Sequence, residues 1–238
     1  MQVRVLLGVP LFMKKVIIIS GGSSGLGNEI AKKLSPKNRV IILSRNKNTL
    51  EKIAKNISCD FRVCDIFDYS GIQETVRYIV KKYKRIDCLI NCAGQWIQGP
   101  IEKNSPPEIK RVIDTNTTGT IFLTRAVVPQ MKKQKKGRII MINSGAGLYH
   151  KAERSIYTAS KWAITGFTKA LQDELHEYGI TVSGIYPGKM TPAVKNKGKK
   201  KHTWPALKIS ELAEIIAFIV AFKPNIEFSE FEVKHLKT

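Results

Sequence analysis

The segment Val16-Ile17-Ile18-Ile19-Ser20-Gly21-Gly22-Ser23-Ser24-Gly25-Leu26-Gly27 runs from an unbroken apolar stretch into a glycine-rich turn. A helical pattern follows, in which Leu26, Ile30 and Leu34 recur every four residues. Four apolar residues in a row suit a strand buried on both faces, as in a parallel sheet covered by helices. Glycines in such a turn let the backbone approach a pyrophosphate, and the helix start adds free N–H groups and a positive dipole end. Strand, glycine turn and helix in this order form the context a dinucleotide site requires, with Gly21, Ser23, Ser24, Gly25, Leu26 and Gly27 as candidate contacts.

The alternation continues downstream. Val40–Leu43, Phe61–Cys64, Cys88–Asn91, Arg138–Asn143, Ile180–Tyr186 and Phe228–Leu236 read as further strands. Between them the pattern predicts helices from Ser70 to Lys84, from Pro106 past Asn116 to about Met131, from Tyr157 to about Tyr178, and onward from a capping Ser210. Pro106-Pro107 fits a helix's first turn, where no N–H partner is needed. A chain of 238 residues with 43% hydrophobic residues is expected to form one α/β domain around a large core. The second strand ends in Ser44-Arg45-Asn46, where a carboxylate would bind the ribose hydroxyls of a dinucleotide and repel a 2′-phosphate. Ser44 stands in that place and Arg45 follows, a guanidinium able to grip a phosphate bidentately or simply a surface arginine.

The stretch Ser144-Gly-Ala-Gly-Leu-Tyr-His-Lys-Ala-Glu-Arg-Ser-Ile-Tyr157-Thr-Ala-Ser-Lys161 places a phenol and an ammonium four residues apart on one helix face. A phenol that exchanges protons near pH 7 needs its pKa lowered by about three, worth about 4 kcal/mol. One ammonium at ~4 Å in an effective dielectric of ~20 supplies about that much.

These residues carry a resemblance. Ser144, Tyr157 and Lys161 resemble the Ser…Tyr-x-x-x-Lys of single-domain short-chain dehydrogenases/reductases, and Gly21, Gly25 and Gly27 match that family's Gly-x-x-x-Gly-x-Gly turn. Asn91-Cys92-Ala93-Gly94 is similar to the family's Asn-Asn-Ala-Gly, with Cys92 as the departure; Asn116-Thr-Thr-Gly119 is similar to its Asn-x-x-Gly, and Pro187-Gly188-Lys-Met-Thr191 to its Pro-Gly-x-x-x-Thr. The resemblance spans about residues 13–236 and implies a Rossmann-type, doubly wound, mostly parallel sheet of seven strands with helices on both faces. It implies NADP(H)-dependent reduction of a carbonyl or oxidation of the matching alcohol. In that scheme Tyr157 is the general acid/base, Lys161 supports it and holds the nicotinamide ribose, Ser144 binds the substrate oxygen, and Asn116 helps hold water near the lysine. Asp65 would contact the adenine amino group, its alternative being a turn or cap aspartate. Asn91, Ala93 and Gly94 line the cofactor, and Pro187, Gly188 and Thr191 meet the nicotinamide end. Residues of about 192–209, rich in lysine, correspond to a substrate lid. The expected assembly is a homodimer or homotetramer. Two rival readings are a 3-oxoacyl-thioester reductase and a catalytically silent NADP-binding regulator.

Charge and cysteine usage narrow the classes further. The net charge of +21 comes from 40 basic against 19 acidic residues, spread over many short lysine pairs. No aromatic-and-basic motif accompanies them, so a solvated basic surface is expected rather than a specific nucleic-acid or membrane partner. Cys88 and Cys92, on one predicted strand, would lie about 13 Å apart, too far for a disulfide or a shared metal. Reduced thiols, no metal site and a cytoplasmic location are expected. Residues 1–12 are mildly apolar, too short for a membrane span and without a cleavage site, and read as an extension or a mis-called start before a domain of residues 13–238.

Overall fold

The computed structural model describes residues 14–191 and 206–235. Seven strands, β1 (Val16–Ser20), β2 (Arg39–Ser44), β3 (Asp60–Val63), β4 (Cys88–Asn91), β5 (Gly137–Ile142), β6 (Ile180–Pro187) and β7 (Glu230–Val233), form one sheet in the order β3-β2-β1-β4-β5-β6-β7. Every pairing is parallel. Strand order reverses between β1 and β4, and a crevice at the carboxyl ends of such strands is where open α/β sheets take ligands.

Seven α-helices connect the strands: α1 (Gly25–Leu34), α2 (Lys47–Ile57), α3 (Tyr69–Tyr83), α4 (Pro106–Ile113), α5 (Gly119–Gln134), α6 (Ser155–His176) and α7 (Ile209–Ala221). The apolar run of β1 is explained by two cores. Ile17 and Ile19 point to one face of the sheet, packed with Leu26, Ile30 and Leu34 of α1 and Leu212 and Ile216 of α7. Val16 and Ile18 point to the other, packed with Ile72 and Ile79 of α3, Leu123 and Val127 of α5, and Ile164 and Leu171 of α6. With both faces covered, polar alternation along the central strands would bury unpaired groups.

The structure departs from expectation in three places. Helix α2 has no counterpart in the reading of the sequence, although Asn46 caps it, accepting the Thr49 N–H, and Leu50 and Ala54 are buried four apart. The expected continuous helix from Pro106 is divided by a π-helical turn at Asp114–Thr118. Helix α7 begins at Ile209, so Ser210 lies inside the first turn, and the Glu211 carboxylate reaches back to accept the Lys208 N–H. The expectations for residues 1–12 and for most of the lid, including its lysines at 195, 197 and 199–201, lie outside the described residues.

Candidate active site

The glycine turn is built against the end of β4. Ser20 Oγ, at the end of β1, accepts the backbone N–H groups of Cys92 and Ala93 at 3.1 and 3.2 Å. Gly21 adopts φ +69°, and a Cβ there would lie 2.8 Å from Ala93 Cα, so only glycine fits. Gly25, at the first position of α1, adopts φ +52°, yet nothing lies within 4 Å of where its Cβ would be. Ser24 stands at the N-cap position in extended conformation and its side chain makes no capping bond. The first-turn N–H groups of α1 are thus left for another acceptor beside open space. A pyrophosphate fits this cradle, which is the fit required of a dinucleotide.

At the neighbouring strand end, Ser44 closes β2 and Arg45 is exposed just beyond it, its guanidinium 5.8 Å from the centre of the Phe67 ring. Asp65 Oδ1 accepts the Phe67 N–H at 3.0 Å, so one carboxylate oxygen serves the turn itself. Ala93 and exposed Gly94 border the crevice, but the Asn91 side chain turns inward. It donates to Thr124 Oγ1 at 2.9 Å and to Met141 Sδ. Asn91 therefore fixes the end of β4 from inside the core, and its side chain does not face the crevice. Pro187 ends β6. Gly188 donates its N–H to Val233, and Thr191 engages the Leu207 carbonyl through both N–H and hydroxyl.

Strand β5 delivers Ser144, whose Oγ accepts the Ala146 N–H, to the same sheet edge. Tyr157 and Lys161 stand on the first turns of α6. The Tyr157 phenol is raised above its ordinary value by burial, against which the Ser144 hydroxyl and then the Arg154 charge pull it down. Lys161 is 5% exposed and its pKa is lowered to about 8 by burial. Its ammonium donates to the Ile142 carbonyl at 3.1 Å and lies 5.9 Å from the centre of the Tyr157 ring. Ser144 and Arg154 are the groups that pull the phenol down in this arrangement. Helical spacing brings the Tyr157 and Lys161 side chains together, but the buried ammonium takes the backbone acceptor at the end of β5.

Asn116 lies in the π-helical turn and is 1% exposed. Its Oδ1 accepts the Gln95 N–H at 2.7 Å, and its Nδ2 donates to the Gln95 carbonyl at 2.9 Å and to Ser160 Oγ at 3.0 Å. Ser160 in turn donates to the Tyr157 carbonyl at 2.7 Å. Asn116 thus braces the loop after β4 to the start of α6, and its side-chain amide is committed to protein partners.

Two neighbours of the phenol escaped the reading of the sequence. The Trp96 and Tyr157 rings meet edge to face at 4.4 Å between centres, and the Arg154 guanidinium lies 4.8 Å from the centre of the Trp96 ring. Neither position carries a motif; Trp96 is marked only by lying two residues past Gly94, and Arg154 only by lying three residues ahead of Tyr157. Among the described residues no cluster of His, Cys, Asp or Glu is arranged to hold a metal, and all four cysteines are free. No described helix is long and apolar enough to cross a membrane.

Comparison with known proteins bears on this edge of the sheet. Residues 15–203 match the short chain dehydrogenase family. An uncharacterised oxidoreductase of Staphylococcus epidermidis is 29% identical over 93% of this chain and 97% of its own. A 3-ketodihydrosphingosine reductase of Bacteroides thetaiotaomicron is 33% identical over 73% of this chain and 63% of its own. A metagenomic short-chain oxidoreductase solved in complex with NADP is 28% identical, superposes with a TM-score of 0.81, and is covered over 99% of its length by 94% of this chain. Other solved chains of the same fold were captured with NADP or with NAD+. The protein belongs to the short-chain dehydrogenase family of oxidoreductases.

Proposed function

We propose that the protein is an NADP(H)-dependent oxidoreductase that interconverts a carbonyl and its alcohol, with Tyr157 as the proton donor and acceptor. The observation that carries this reading is the convergence of the Tyr157 phenol, the Ser144 hydroxyl and the buried Lys161 ammonium at the carboxyl edge of the sheet that also holds the open first turn of α1. Gly25, Leu26 and Gly27 would hold the pyrophosphate through backbone N–H groups, Arg45 the 2′-phosphate, and the Pro187–Thr191 segment the nicotinamide end. Bound there, the cofactor supplies or accepts the hydride.

The chain's own groups handle the proton. Burial keeps the Tyr157 phenol protonated at neutral pH, so it is ready to give its proton to a carbonyl oxygen. Ser144 donates its one hydroxyl hydrogen bond to the same oxygen. Lys161, still charged below about pH 8, supplies positive potential beneath that phenolate. Asn116 acts as a brace, holding Gln95 and Ser160 so that Trp96 and Tyr157 keep their contact. General acid catalysis of this kind contributes on the order of 10²–10⁴-fold.

The second reading is reduction of a 3-oxoacyl thioester; the Bacteroides relative is named for reducing a 3-keto compound that is not a thioester. The deciding experiment is NADPH oxidation over a panel of ketones, aldehydes and an acyl-carrier 3-oxo thioester. Turnover of any member supports the reductase. Tight NADPH binding with no turnover of any would instead leave a cofactor-binding regulator. Sedimentation of the purified chain tests the homodimer or homotetramer.

A further inference from the structure

Arg154 sits at the N-cap position of α6, three residues ahead of Tyr157, on a backbone held from both sides. Glu153 before it takes a left-handed φ of +61°, a conformation that non-glycine residues adopt only under constraint, and its carbonyl accepts the Gly99 N–H at 2.8 Å. The side chain is half-buried, and of its nitrogens only Nε is closed off from solvent. Its guanidinium lies against the Trp96 ring at 4.8 Å, and its Nε is buried without a hydrogen-bond partner among the described residues. Trp96 itself is fixed, because Asn116 clamps the backbone of Gln95 beside it and the Tyr157 ring abuts it. A positive fork is therefore stacked on an aromatic platform that also touches the candidate acid. Trp96 remains 51% exposed, so the platform is open to a small molecule.

An arginine fork matches a carboxylate in two parallel hydrogen bonds, and the two terminal nitrogens of Arg154, unlike its Nε, are not among the buried unpartnered atoms. We propose that Arg154 is the specificity-determining residue of the site and that the substrate is a short oxo acid, its carboxylate held by Arg154 on the Trp96 platform while its carbonyl faces Tyr157 and Ser144. This inference rests on the reading of Tyr157 as the proton donor to a carbonyl. The carboxylate is untouched by the reaction. The carbonyl carbon gains the hydride given up by NADPH, its oxygen gains the Tyr157 proton, and the product is the hydroxy acid beside NADP+. The nearness of Arg154 is consistent with its charge drawing down the Tyr157 pKa, and a bound carboxylate would offset that influence.

The test compares pyruvate, 3-oxobutanoate and 4-oxopentanoate, each against its own methyl ester, in the unmodified protein, Arg154→Gln and Arg154→Lys. The readout is the acid-to-ester ratio of kcat/KM within each protein, in which any effect on the phenol common to both substrates cancels. At least one acid is expected to be preferred by about 10- to 100-fold, the worth of hydrogen bonds to a charged group. That ratio should fall to near one in Arg154→Gln and stay partly elevated in Arg154→Lys, which keeps the charge without the fork. An unmodified protein that prefers no acid, or a preference untouched by Arg154→Gln, overturns the proposal. A parallel binding arm follows quenching of Trp96 fluorescence by the same acids, with Trp96→Phe identifying the signal. Quenching by an acid but not its ester, lost in Arg154→Gln, supports the carboxylate site even if none of these acids is turned over. No acid preference together with no Arg154-dependent quenching overturns the proposal, while the reductase reading stands or falls on the wider panel of ketones, aldehydes and thioester.

Discussion

The Lys161 ammonium, 5% exposed, donates to the Ile142 carbonyl at 3.1 Å, so the charge below the candidate acid is held by the last residue of β5. Burial lowers its pKa from 10.5 to about 8. Between those values the unfolded chain keeps a proton that the folded chain has lost, so stability from this group rises with pH across that window and is flat below it. Replacing Lys161 by Met removes the titration. The stability of the unmodified protein relative to Lys161→Met should therefore rise by about 2 kcal/mol between pH 7 and about 9.5, at 1.36 kcal/mol per pKa unit. Urea unfolding of both proteins at several pH values measures the difference; a gap that does not move with pH means that Lys161 titrates near its ordinary value.

Tyr157→Phe removes the phenolic hydroxyl and keeps the ring that meets Trp96 at 4.4 Å. Thermal stability and NADPH binding should hardly change while kcat falls at least about a hundredfold, the lower end of what acid catalysis contributes. Steady-state kinetics beside a fluorescence titration with NADPH separate the two effects. A variant keeping most of its turnover would assign the proton to another group.

Arg45, exposed beyond the end of β2 and 5.8 Å from the Phe67 ring centre, is the cation proposed to meet the 2′-phosphate. NADPH should be preferred over NADH by about ten- to a hundred-fold, and Arg45→Ala should weaken NADPH binding by a similar factor while sparing NADH. Comparable kcat/KM values for the two cofactors in the unmodified protein would end the assignment.

Asn116→Ala strands the Gln95 N–H and carbonyl and takes a donor from Ser160. Each stranded buried group costs about 1–3 kcal/mol, so a loss of about 2–4 kcal/mol in stability is expected, with altered Trp96 emission as the loop loosens. Asn116 acting only through water would instead lower kcat with unfolding unchanged.

What the sequence determined by itself was local. An apolar run covered on both faces can only be an interior strand, and the glycines after it stand where the backbone turns to positive φ, at Gly21 and Gly25. The four-residue spacing of Tyr157 and Lys161 put both on one side of α6 for the same reason. Helix α2 is equally legible, with its Asn46 cap and with Leu50, Ile53 and Ile57 recurring on the face packed against the sheet. The tertiary structure alone decided the partners. Ser20 meets Cys92 and Ala93 across 72 and 73 residues of chain, Asn116 clamps Gln95 through a π-helical turn that no spacing announces, and Trp96 comes between Tyr157 and Arg154. Lys161 donates to the Ile142 carbonyl because a buried ammonium needs an acceptor and the end of β5 supplies one. Periodicity orients a side chain on its own element, whereas what that side chain touches depends on which distant strand end is folded against it.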